Sequence, residues 1–132
     1  MKKITFSQNK WAALGALLAM MSVMAGAFGA HLLEHKLPEG KLEVFNIAVR
    51  YQMYHALAII VVALVEVKRS KLIMWFFLFG IILFSGGLFA YSLSYLFYDY
   101  GYEFFGIFAP FGGLSFILAW LLLALGFISK KA

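Results

Sequence analysis

The side chains able to do chemistry are few and closely spaced. Arg50, Tyr51, Gln52 and His55 interrupt one apolar run, with Asn46 just before it, and His31 closes an earlier run. Tyr51 and His55 are one helical turn apart and share a face. Two histidines on separate helices raise the question of a haem or metal ion, but no further ligand set accompanies them. No cysteine is present, which removes thiol catalysis and iron–sulfur ligation. No HExxH pattern and no nucleophile–base pair is visible. The residues therefore predict no catalytic group, no cofactor and no metal. They suit a layer of hydrogen-bonded side chains: His31, Arg50, Tyr51, Gln52 and His55. An arginine at mid-bilayer costs about 2.5–3.5 kcal/mol on insertion scales, less near a boundary where it can snorkel. Glu43 is two turns before Arg50 and could pair with it; Glu34, Asp99 and Glu103 belong to other segments near the same level.

The elements that must carry these residues follow from composition. The chain has 132 residues, of which 64% are hydrophobic and 13% charged, with mean hydropathy +0.92. No soluble fold of this size hides so much apolar surface, so lipid must cover part of it. Four apolar stretches run from about 11 to 33, 48 to 67, 72 to 97 and 104 to 128. The second carries Glu66 besides the polar residues above. Each stretch reaches the ~20 helical residues that a hydrocarbon core needs. They are continuously apolar, which excludes the alternation of barrel strands. The expected fold is an all-α, integral membrane four-helix bundle forming a single domain over 1–132. The first stretch is too long for the apolar core of a cleaved leader and reads as a retained span.

Orientation follows from the cations. Lys2, Lys3, Lys10, Lys68, Arg69, Lys71, Lys130 and Lys131 fall on one side if the first span begins in the cytoplasm, against Lys36 and Lys41 on the other. This predicts both termini on the cytoplasmic side. All seven tyrosines, Tyr51, Tyr54, Tyr91, Tyr95, Tyr98, Tyr100 and Tyr102, then lie toward the outside, while Trp11 and Trp75 mark the inner boundary. The net charge of +5 sits in clusters flanking apolar runs, so it predicts topology and no nucleic-acid partner. The mixed segment Pro38 to Ile47 predicts an amphipathic helix start leading into span two. Pro110 suits the first turn of span four.

Small residues recur at four-residue spacing: Ser22, Gly26 and Ala30; Gly15 and Ala19; Gly86, Ala90 and Ser94; Ala109 and Gly113; Ser115 and Ala119. Such stripes let helix backbones approach. They predict packing within the bundle before they predict a dimer.

Four motifs in order, Gly26-Ala27-Phe28-Gly29-Ala30-His31, Tyr51-Gln52-Met53-Tyr54-His55-Ala56-Leu57-Ala58, Leu83-Phe84-Ser85-Gly86-Gly87-Leu88 and Pro110-Phe111-Gly112-Gly113-Leu114-Ser115-Phe116, with Trp120 after the last, resemble the small bacterial membrane proteins of domain of unknown function 423. That family is related to eukaryotic transmembrane protein 256. The resemblance covers nearly the whole chain and implies a four-span inner-membrane protein without adding an activity. It points to Gly26, Gly29, His31, Tyr51, Gln52, His55, Ser85, Gly86, Gly112 and Gly113 as recurrent positions, with Gly87 replacing an expected serine. Gly26, Gly29, Gly86, Gly112 and Gly113 are the glycines expected at helix contacts. The expected role is structural or accessory, with the lipid bilayer as surroundings and a homo-oligomer or larger membrane complex as assembly. The alternative is a small transporter or ligand-binding protein acting as an oligomer, with its site in the outer half.

Overall fold

A computed structural model describes residues 5–65, 67–98 and 102–129. Lys2, Lys3, Glu66, Asp99, Tyr100, Lys130 and Lys131, which entered the sequence argument, lie outside the described residues. Among the described residues the chain forms four long helices and no strand: α1 (Phe6–Leu33), α2 (Glu39–Leu64), α3 (Ser70–Ser94) and α4 (Glu103–Ile128). Each is long and apolar enough to cross a membrane.

α1 begins before its apolar run because Thr5 caps it. Gln8 N–H donates to Thr5 Oγ1 at 3.3 Å, and Thr5 N–H donates to Gln8 Oε1 at 2.8 Å. This reciprocal pair satisfies two otherwise orphaned donors. α2 starts directly after Pro38 and is continuous, so the mixed-polarity segment is the start of this helix and leads into its apolar part, as expected. Glu39 sits in its first turn, where the helix dipole favours an acid. The reversal into α3 is tight enough to hold Arg69 at φ 64°, in the left-handed region. α4 opens with a 3₁₀ turn, Glu103–Ile107, and Pro110 lies in the first α-helical turn after it.

Two π-helical turns modify the helices: Gly29–Leu33 ends α1, and Ile81–Ser85 interrupts α3. The second has a packing consequence. A π turn accommodates an extra residue, and one residue is about 100° of helix rotation, so the face presented after it shifts. Gly87 rather than Gly86 then meets α4: a Cβ on Gly87 would lie 3.0 Å from Phe105 O. Gly86, expected at a helix contact, is exposed, and its nearest neighbour would be Ile81 O of its own helix at 3.9 Å. The other four expected glycines do face neighbours. A Cβ on Gly26 would stand 3.4 Å from Val49, on Gly29 2.9 Å from the Phe45 ring, and on Gly113 3.8 Å from the Phe84 ring. At Gly112 it would overlap the backbone of Phe84.

The main core joins α2, α3 and α4 through Ile59, Val62, Ile73, Phe77, Phe116 and Ala119. A smaller cluster of Leu33, Leu37 and Phe45 closes the end where α1 connects to α2. α1 is the least buried helix and packs chiefly along α2. Gly15 allows this, since a Cβ there would come within 2.6 Å of Ile60 and 2.8 Å of Ala56 O. At the opposite end Trp11 meets Trp75 of α3 edge-on, with ring centroids 5.2 Å apart.

Candidate functional site

His55 is buried where α2, α3 and α4 converge. Its ring stacks on Phe116 of α4, with centroids 3.4 Å apart and planes 5° from parallel. Trp120, one turn further along α4, donates its indole N–H to His55 Nε2 at 3.2 Å. Because Nε2 accepts, the ring hydrogen belongs on Nδ1, which lies 2.6 Å from Tyr51 O and donates to it. Phe77 of α3 packs at 5.7 Å from the imidazole and 5.0 Å from the indole. Tyr51 stacks on Phe84 of α3 at 4.6 Å. Both ring nitrogens of His55 are therefore engaged by protein groups.

Gln52 is buried on a different side of α2. Its Nε2 donates to Leu18 O of α1 at 2.9 Å. Ser115 Oγ of α4 donates to Phe76 O of α3 at 2.7 Å. Three side-chain hydrogen bonds thus tie α1 to α2, α2 to α4 and α3 to α4. Bonds of this kind between membrane helices are individually modest, averaging about 0.6 kcal/mol.

The five residues expected as one polar layer separate into two groups. Gln52 and His55 are buried at the helix interfaces, while the Tyr51 ring stacks on Phe84 of α3 and stays 39% exposed. His31 lies in the π turn that ends α1 and is exposed. Arg50 is exposed as well, and its Nη2 meets Glu43 Oε1 at 2.6 Å, with the two side chains 49% and 55% accessible. The separation is geometric. Two residues are about 200° of rotation on a helix, so Arg50 and Gln52 occupy nearly opposite faces. Glu43 was the right acid, but on the outward face, where an arginine reaches toward the helix end and the pair is weak.

The model of the family described as "Protein of unknown function (DUF423)" matches residues 25–113. The chain belongs to this family. Its relatives include the UPF0382 membrane protein YwdK of Bacillus subtilis, 39% identical over 115 residues, covering 83% of this chain and 89% of that protein. The UPF0382 membrane proteins of Staphylococcus saprophyticus and Staphylococcus haemolyticus are 40% and 42% identical, covering 86% and 83% of this chain and 92% and 88% of theirs. No solved structure matches.

In this DUF423 protein the residues that complete the histidine site are Trp120 and Phe116, which the sequence reading left outside the polar layer. One signal was available. Trp11 and Trp75 sit near helix ends, where amphipathic rings belong, whereas Trp120 is eight residues inside the end of α4. An indole N–H at that depth needs an acceptor. At the far end of the bundle Lys41 Nζ donates to Tyr91 Oη and lies 3.7 Å from that ring's centroid, joining the start of α2 to α3.

Proposed function

We propose that this DUF423 protein is an accessory protein of the bacterial cytoplasmic membrane, with both termini inside, whose histidine site locks the bundle and does no chemistry. The observation that supports this reading is the complete engagement of His55: Nε2 by Trp120, Nδ1 by Tyr51 O, and the ring face by Phe116. A histidine that shuttles protons or holds a ligand here would have to give up its bond to Trp120 or to Tyr51 O, which favours a locking role. The protein then acts on its surroundings through its lipid-facing exterior, within a membrane complex.

Two measurements test the reading. Cysteines replacing Lys36 and Ser70 report orientation: the first is expected to react with an impermeant thiol reagent in intact cells, and the second only after permeabilisation. Labelling at Ser70 alone would invert the topology. His55→Gln and His31→Gln, introduced into a deletion strain, are expected to restore its phenotype in proportion to the folded protein present. Normal folded yield with failed rescue would make the histidine a functional group and sink the locking role.

A further inference from the structure

The charges of the bundle are divided between its two ends. The acids among the described residues, Glu34, Glu39, Glu43 and Glu103, all lie at the end where α1 connects to α2. The opposite end carries Lys10, Lys68, Arg69 and Lys71. There the turn after α2 packs against the last turns of α4: a Cβ on Gly126 would stand 3.3 Å from Val67 Cβ and 3.6 Å from Lys68 O. This contact borders an open groove of about 380 Å³, lined by Lys68, Arg69, Leu122, Leu125, Ile128 and Ser129. Lys68 and Arg69 are exposed, and their side chains meet no carboxylate among the described residues, whereas Arg50 at the other end has Glu43. In the sequence Lys130 and Lys131 follow Ser129 and Glu66 precedes Val67, which leaves the surplus positive.

The lining restricts the occupant. Leu122, Leu125 and Ile128 follow one another along about 9 Å of α4, and the last two are 51% and 70% exposed. The groove therefore joins cations at the helix ends to an apolar wall that runs into the bilayer. A soluble anion would use the cations and leave the wall bare. A neutral lipid would use the wall and leave the cations unanswered, and a zwitterionic phospholipid brings an ammonium of its own. A second copy in the same orientation brings further cations to this end, since its described acids lie at the other. A phospholipid with a net negative headgroup suits both parts. Basic pockets between spanning helices take such headgroups, and a guanidinium matches two phosphate oxygens at once.

We propose that this groove binds one anionic phospholipid, with its phosphodiester at Lys68 and Arg69 and an acyl chain along Leu122, Leu125 and Ile128. The bound lipid ties the α2–α3 turn to the end of α4. The site depends neither on the orientation of the chain nor on the His55 lock. The test uses the full chain in a non-ionic detergent, titrated with phosphatidylglycerol or with phosphatidylcholine of the same acyl chains, with complexes counted by native mass spectrometry. Saturable one-to-one binding of phosphatidylglycerol is expected, with phosphatidylcholine clearly weaker. Each cation near an anionic lipid surface is worth about fivefold in affinity, so Lys68→Gln combined with Arg69→Gln should weaken binding about thirtyfold. Both side chains are exposed, so thermal unfolding in lipid-free detergent should not change. Lys10→Gln removes a cation at the same end but outside the groove, and should leave binding nearly unaltered. Excess inorganic phosphate should not displace the lipid. Equal retention of the two lipids, an equal loss from Lys10→Gln, or displacement by inorganic phosphate would each overturn the proposal. Dimers that hold no lipid would overturn it too, by assigning the groove to a second copy.

Discussion

Gly112→Ala is expected to destabilise the bundle by about 3 kcal/mol, the upper end of ordinary overpacking costs. The added carbon would overlap the amide nitrogen, Cα and Cβ of Phe84 at the π turn of α3. Most overpacked sites relax by turning a side chain. Here the obstruction is largely backbone, so α3 and α4 must move apart. That separation would also loosen the stack of Tyr51 on Phe84 and of Phe116 on His55. Controls come from the same chain. A Cβ on Gly40 meets nothing within 4 Å, and Gly40→Ala in the first turns of α2 is expected to be neutral or to stabilise by up to about 1 kcal/mol. Gly86→Ala should be equally mild. Thermal unfolding and monodisperse yield in detergent check all three. A Gly112→Ala protein as stable as the Gly40→Ala protein would remove the close α3–α4 approach from the account.

The second large effect is at the histidine. His55→Ala removes a ring stacked on Phe116, opens a cavity among three helices and leaves the Trp120 N–H without an acceptor. Truncation of buried large side chains costs about 2–5 kcal/mol, and a donor left without an acceptor in the hydrocarbon layer adds about 1–3 kcal/mol. An overall loss of about 4 kcal/mol is expected, measured as the shift of the unfolding transition in mixed micelles. Trp120→Phe should cost far less, because a ring remains to pack on Phe77. Combining these two changes in a thermodynamic cycle isolates the hydrogen bond. Its coupling should lie between about 0.6 and 1.7 kcal/mol, the average and the maximum for such pairs in membrane helices. A coupling near zero would mean that the imidazole acts by packing alone. The tautomer is separately observable: nitrogen resonances of His55 should show hydrogen on Nδ1 and a lone pair on Nε2.

What could be read from the sequence was governed by period and composition. Four apolar runs, their flanking lysines and the tight turn at Lys68 to Ser70 specify four helices because lipid leaves the backbone no other economical arrangement. Gln52 and His55 were legible as interior residues because a polar group in a span needs a partner. Which partner was not legible. Leu18 O is a backbone atom and carries no sequence signature, and Trp120 is 65 residues from His55. Arg50 leaves the layer for a different reason. Residues of one polar stretch need not share a face, and the helical rotation between Arg50 and Gln52 puts them apart. His31 sits in the π turn that ends α1 and is exposed there. Gly86 shows the effect of a local backbone feature: a stripe at four-residue spacing predicts a contact only while the helix stays α, and the Ile81–Ser85 turn breaks that phase.

The attachment of α1 bears on how the molecule is made. α1 leaves the ribosome before α2 and has its main contacts on α2, the next helix to emerge. The two can enter the bilayer as a hairpin and dock as soon as α2 is complete. α3 and α4 form a second hairpin, joined by the Ser115–Phe76 bond and the close approach at Gly112. His55 then becomes one joint between the hairpins, since its partner Trp120 lies in the second half of α4, the fourth of these helices to emerge. Until then the imidazole of α2 has no indole to meet, so the final quarter of the chain closes a bundle whose first half is already in place.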